Sequence, residues 1–102
     1  MAKNADILAP IPPGEILLEE FMKPLGISRN RLSRDLDMPL SRVSEIVRGG
    51  RAITADTALR LGAYFGTSAE MWLNLQSTFD LRVARSTIWP SVKPKIRPLD
   101  AA

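Results

Sequence analysis

The chain has 102 residues, a formal charge of +3, and neither cysteine nor histidine. Its length suits one domain with a modest core. The missing residue types exclude disulfide staples, Cys/His zinc sites, thiol nucleophiles and Ser-His-Asp machinery, so an enzyme is the weakest reading and no cofactor or metal is expected.

Taken in chain order, residues 1–11 form a loose N-terminal arm. MAKNADILAP lacks the layout of a secretion signal, and no apolar run approaches the ~20 residues of a bilayer span, so a cytoplasmic protein without a membrane partner is expected. Pro12-Pro13-Gly14 opens a first helix: proline suits the first helical position, and Glu15, Glu19 and Glu20 follow near the positive end of its dipole. Ile16, Leu17, Phe21 and Leu25 repeat as its buried stripe, and Lys23-Pro24 ends or kinks it. Ser28 caps a second helix reaching about Leu36, and a third spans about Leu40 to Arg48, closed by Gly49-Gly50. Thr54 caps a fourth, with Ala55, Ala58, Leu59, Leu61 and Phe65 facing inward and Gly66 closing it. Ser68 caps a fifth that runs to about Ala84 through Met71, Trp72, Leu75, Phe79 and Val83. Beyond Arg85, Pro90, Pro94 and Pro98 forbid a long helix, so residues 86–102 are expected as an extended or disordered basic tail. The fold class is all-α: five helices in a domain over residues 12–85, flanked by two arms.

Residues Leu32 to Gly49 have the layout of a DNA-reading helix-turn-helix. Leu32, Leu36, Val43, Ile46 and Val47 lock two short helices together around Asp37-Met38-Pro39. The second helix exposes Ser41, Arg42, Ser44, Glu45 and Arg48. From Ser28 to Arg51 there are six arginines against three acids, which points the middle of the chain at phosphates.

Three segments carry a family resemblance: PPGEILLEEFMKPLGIS, NRLSRDLDMPLSRVSEIVRG and RAITADTALRLGAYFGTSAEMWLNLQSTFDLRVA. Together, from about Pro12 to Ala84, they resemble the HigA-type (VapI-like) antitoxins of the Xre/λ-repressor-like helix-turn-helix superfamily. The more specific parts are PGEIL, ITADTALRL, and WLNLQ followed by DL. The resemblance implies a five-helix λ-repressor-like domain and a homodimer that binds double-stranded operator DNA. It also implies repression of the protein's own operon, residence on the nucleoid when operator-bound, and neutralisation of a RelE-like mRNA-cleaving toxin. Three positions depart from the family pattern: Pro12 stands where histidine commonly precedes Pro-Gly-Glu, Asp37 where many turns carry glycine, and Gly49-Gly50 where Asn-Gly is more usual. Asp37 therefore has to tolerate a left-handed backbone. Two other readings are a solitary Xre-type regulator without a toxin and an interaction module that has lost DNA binding, the latter opposed by the arginine load.

Ser41, Arg42, Ser44 and Glu45 are the base-reading candidates. Arg42 leads, because a guanidinium pairs bidentately with guanine O6 and N7, while Glu45 can accept from a cytosine amino group. Arg29, Asn30, Arg31, Arg48 and Arg51 are the phosphate candidates. For Asn30 helix capping is an equal account, and Arg34 pairs as readily with Asp35 or Asp37 on the surface. Phe79, Leu81 and Val83 are expected at a dimer interface, with Trp72 in the core. The toxin-binding candidates are the acidic Glu15, Glu19 and Glu20 and the tail residue Trp89, against the alternatives of a dipole-stabilising helix start and a solubilising tail.

Overall fold

A computed structural model describes residues 9–100. Residues 1–8 of the expected N-terminal arm, and 101–102, lie outside the described residues. Helix α1 (13–25) is composite: α-helical over Pro13–Ile16, π-helical over Leu17–Met22 and α-helical again over Lys23–Leu25. It is followed by α2 (Arg29–Leu36), α3 (Leu40–Val47), α4 (Ala55–Phe65), α5 (Ala69–Thr87) and α6 (Trp89–Val92), and then by a 3-10 turn at Lys93–Lys95. There is no strand among the described residues.

The expected caps are in place. The side chains of Ser28, Thr54 and Ser68 accept hydrogen bonds from the backbone N–H groups of Arg31, Thr57 and Met71 at 3.1, 3.3 and 3.0 Å. Each satisfies a donor that the first turn of a helix leaves without a partner.

In α1 the helix runs past Pro24 instead of ending there. Proline has no N–H to give the carbonyl four residues back and its ring collides with that carbonyl, and the wide π turn just before it opens the space required. Widening the turn also shifts the buried face by one residue. Met22 is buried beside Leu17, while Leu25, expected inside on a 3.6-residue period, is 60% exposed. Leu59 is likewise turned out of α4, at 64% exposure, and Ala55 is exposed too; Ala58 and Leu61 occupy the inward positions instead.

The core joins every helix up to α5: Leu17 and Met22 of α1, Leu32 and Leu36 of α2, Val43, Ile46 and Val47 of α3, Ala58 and Leu61 of α4, and Trp72 of α5, with Met38 and Ile53 from the loops. Phe21 bridges this core to the α4–α5 corner, its ring 5.0 Å from Phe65 and 4.9 Å from Trp72. The indole N–H of Trp72, fully buried, donates to the Thr67 hydroxyl at 2.9 Å, so its one polar atom is satisfied.

Two expectations fail at the C-terminus. The described residues include a sixth helix, and residues 86–100 are not an extended tail throughout: α5 reaches Thr87, and helical turns follow as far as Lys95. Pro90 and Pro94 each fall in the first turn of a new short segment, where a missing N–H costs nothing, so they break the long helix without abolishing helical structure.

The start of α1 and the end of α3 approach closely at Gly14. A Cβ built on Gly14 would fall 1.7 Å from the carbonyl oxygen of Ile46, so only glycine permits this approach. Gly14→Ala is expected to destabilise the fold by about 2–3 kcal/mol, since backbone on both sides must move; urea unfolding of the two proteins measures it.

Candidate nucleic-acid interface

The α2–α3 turn closes on Asp37, which holds φ 55° and ψ 52°. The N–H of Met38 donates to the Ser33 carbonyl at 3.0 Å and that of Asp37 to the Arg34 carbonyl at 3.2 Å. This is the paired bonding of a Schellman end, with aspartate in the left-handed position that glycine usually takes. Met38 packs into the core, and Pro39, with φ −59° and ψ 141°, starts α3.

A residue that sequence reasoning passed over secures this turn from outside. Arg60 of α4 donates through one guanidinium nitrogen to the carbonyls of Leu36 and Asp37, both at 2.8 Å. Its Nε is oriented by Asp56, one turn earlier, at 3.1 Å. The Asp56–Arg60 pair is visible as an i, i+4 spacing, but its target is backbone and leaves no mark in the sequence. Beside it the Tyr64 hydroxyl donates to Asp35 at 2.6 Å, and Arg31 donates to the same carboxylate at 3.3 Å. The other end of α3 is fixed by Gly14, and the loop beyond by Gln76 of α5, whose side-chain oxygen accepts the buried N–H of Ile53 at 2.7 Å.

Held in this way, α3 buries Val43, Ile46 and Val47 and turns its other side outward. Ser41 is exposed, and Arg42, Ser44 and Glu45 are half-buried at its flanks. Arg29, Asn30 and Arg31 lie exposed on the first turn of α2, and Arg48 and Arg51 are exposed past the end of α3. Arg29, Arg42 and Arg48 have no ion-pair partner among the described residues. Glu45 and Arg51, the expected base reader and phosphate contact, pair with each other at 3.0 Å. Arg31 pairs with Asp35, one of the two acids considered as partners for Arg34. Ser28 takes the cap position that was an alternative account of Asn30.

Elsewhere, Phe79 and Val83 are half-buried on one side of α5, whereas Leu81 is 52% exposed on the other, so these three do not form a single face. Glu15, Glu19 and Glu20 are exposed on α1, with Glu19 bonded to Lys23 at 2.7 Å, and Trp89 is 41% exposed on α6. No helix among the described residues is long and apolar enough to cross a membrane, and no carboxylate cluster there is arranged to hold a metal ion.

The chain matches the Helix-turn-helix family model over residues 18–72. It is 55% identical over 74 residues to Virulence-associated protein I of Dichelobacter nodosus, covering 72% of this chain and 68% of that protein. Antitoxin HigA-1 of Vibrio cholerae is 34% identical over 90 residues, 88% of this chain and 84% of its own length. Among solved structures, Pseudomonas aeruginosa antitoxin HigA with the higBA promoter superposes with a TM-score of 0.85 at 45% identity, covering 89% of this chain and 99% of that one.

Arg60→Met is expected to cost about 1–3 kcal/mol by leaving two turn carbonyls without their donor, measured by thermal unfolding. The Tyr64–Asp35 bond has a pH signature. The Tyr64 hydroxyl, ahead of Arg31, holds the Asp35 carboxyl below its ordinary 3.8, and the same bond raises the Tyr64 phenol above 10.0. Asp35 thus contributes stability that is present above pH 3.8 and lost as the pH falls through its lowered value. Tyr64 contributes stability that is present below pH 10.0 and lost as the pH rises through its raised value. The stability gap between wild type and Tyr64→Phe, followed by denaturation across pH, is expected to be widest between these limits and to close beyond both.

Proposed function

The chain belongs to the helix-turn-helix family, in its HigA/VapI group of antitoxins and regulators rather than among enzymes, and from that footing we propose that it is a sequence-specific DNA-binding antitoxin. In this reading it represses the operon that encodes it and neutralises a RelE-like, mRNA-cleaving toxin. The observation that carries the DNA half is α3 itself: a helix clamped at both ends, presenting Ser41, Arg42 and Ser44 on the side its core residues leave free. A relative that shares this fold was solved with its promoter.

Arg42 is the principal base reader, with no carboxylate to neutralise it, and Ser41 and Ser44 bond base edges or phosphates beside it. Arg29, Asn30, Arg31 and Arg48 flank the reading helix and hold phosphates. Glu45 and Arg51 act as a unit: Arg51 orients the carboxylate, and either group reaches DNA only when their ion pair opens. Such an exposed pair holds by no more than about 1 kcal/mol, so DNA competes with it readily. A homodimer places two copies of α3 about one helical turn apart, ~34 Å, across a palindrome, and α5 supplies the contact between copies. The toxin meets surface that α3 leaves free, for which the exposed carboxylates Glu19 and Glu20 of α1 suit a basic protein. Such a protein works in the cytoplasm, on the nucleoid while its operator is occupied.

Competition binding to the chain's own upstream DNA tests the proposal. Wild type is expected to prefer that fragment over random duplex and to weaken steeply with salt. Arg42→Ala is expected to lose about 1–3 kcal/mol on the cognate site and to relax preference at one base pair per half-site, whereas Arg29→Ala weakens cognate and random DNA alike. Equal competition by random DNA at moderate salt would refute the DNA half. Failure to co-purify with the product of the adjacent reading frame would refute the toxin half.

A further inference from the structure

Glu45 is the one acid between Leu40 and Ala52, a stretch that also holds Arg42, Arg48 and Arg51. It stands one turn after Ser41 and almost one turn before Arg48, so the three share a row along α3, on the side away from the buried Val43 and Ile46. Its carboxylate is engaged by Arg51: Nε donates to Oε1 at 3.0 Å, and Nη2 lies 3.0 Å from the same oxygen. We propose that this pair is a sequence-dependent latch, which keeps Arg51 off the phosphates of any duplex until the amino group of a cytosine draws Glu45 away. Glu45 thus decides where Arg51 adds to binding. The inference rests on the DNA-binding reading above and makes one of its phosphate contacts conditional on base sequence.

The loop that carries Arg51 is anchored on both sides without the pair. Gly49, at φ 83°, reverses the chain after α3, and the N–H of Gly50 donates to the Glu45 carbonyl at 2.8 Å. Two residues beyond Arg51, the buried N–H of Ile53 donates to Gln76 at 2.7 Å, and Asp80 fixes the orientation of that amide by accepting from its nitrogen at 3.0 Å. Backbone bonds therefore set where Arg51 leaves the chain. What the ion pair sets is the direction of its guanidinium.

Both contacts end on one carboxylate oxygen, without the two parallel bonds that make an arginine–carboxylate fork strong, and the side chains of Arg51 and Glu45 are 51% and 40% exposed. Such a pair opens at small cost. While it is closed its charges cancel, and Arg51 displaces no counterion from DNA. Opening it for a phosphate alone leaves a bare carboxylate facing a polyanion, a penalty that random sequence does not relieve. Cytosine does relieve it, because the amino group it presents in the major groove is a donor that takes the carboxylate over. Arg29 and Arg48, which have no ion-pair partner among the described residues, hold phosphates at every sequence.

Salt dependence reads the latch, with the full chain titrated against its own upstream DNA and against random duplex. Each phosphate contact adds about 0.9 to the slope of log affinity against log salt. In Glu45→Gln, Arg51 is released on every sequence. The slope on random duplex is then expected to steepen by about 0.9 per bound copy, with affinity there raised about threefold or more, while the slope on the upstream DNA stays at its wild-type value. The double variant Glu45→Gln/Arg51→Gln is expected to do the reverse, leaving the slope on random duplex unchanged and lowering it on the upstream DNA by the same amount. Equal steepening on both DNAs in Glu45→Gln would overturn the latch, since loss of one negative charge by itself does that. Random-duplex binding that Glu45→Gln leaves unchanged would overturn it too, and both outcomes leave sequence-specific binding standing. A wild type that does not distinguish its upstream DNA from random duplex would overturn the DNA reading and the latch together. Both variants are expected to melt at the wild-type temperature, because the loop keeps its backbone bonds; a large loss of stability in both would make the pair a structural staple and overturn the proposal.

Discussion

The contact on which the rest of the structure depends is between two backbones, Gly14 of α1 and the Ile46 carbonyl of α3. Side chains normally hold helices 8–10 Å apart; here one helix start sinks into the end of another because a side chain is missing. Pro12 follows it in, its ring lying where a Cβ on Gly49 would meet it at 3.0 Å. The recognition helix is thereby fixed by its own backbone, and its outward side chains take no part in holding it.

The same division of labour recurs at the other end of α3. A turn that ends in a left-handed aspartate carries some intrinsic strain and leaves carbonyls pointing outward, and Arg60 collects two of them. Gln76 does the complementary task for the loop after α3 by taking the buried N–H of Ile53. Each support comes from a different element, so α1, α4 and α5 together form a frame whose common product is the position of α3.

What could be read from the sequence follows from which interactions are local. Ser28, Thr54 and Ser68 were legible because a cap bonds within its own first turn, and Asp37 because a turn signal precedes Pro39. Trp72 could be placed in the core because the apolar stripe around it repeats at helical spacing. Leu25 was misplaced because the period itself changes inside α1, where the helix widens ahead of Pro24. Leu59 was misplaced because a leucine next to an apolar stripe looks like part of it. The tail was misread because prolines were counted as breakers, without regard to where in a turn each falls. Arg60, Tyr64 and Gln76 were missed because their partners are backbone groups or acids 23 or more residues away. Gln76 alone left a trace, as a polar residue one turn after Trp72 on an otherwise apolar side. On the outward side of α3, the exposure of Ser41 was legible, while the Glu45–Arg51 pair was not, since it joins a helix to the loop beyond it.

A recognition helix held by its backbone and its buried side has a consequence for how such proteins diverge. Substitutions at exposed positions away from caps and buried networks usually change stability by less than about 0.5 kcal/mol. Residue 41 lies on that free surface and residue 42 at its half-buried flank, while the glycine, arginine and glutamine that position the helix lie on other elements. The outward side of α3 can therefore change one residue at a time on an unchanged scaffold, so that duplicated copies in one genome diverge there without passing through an unfolded intermediate.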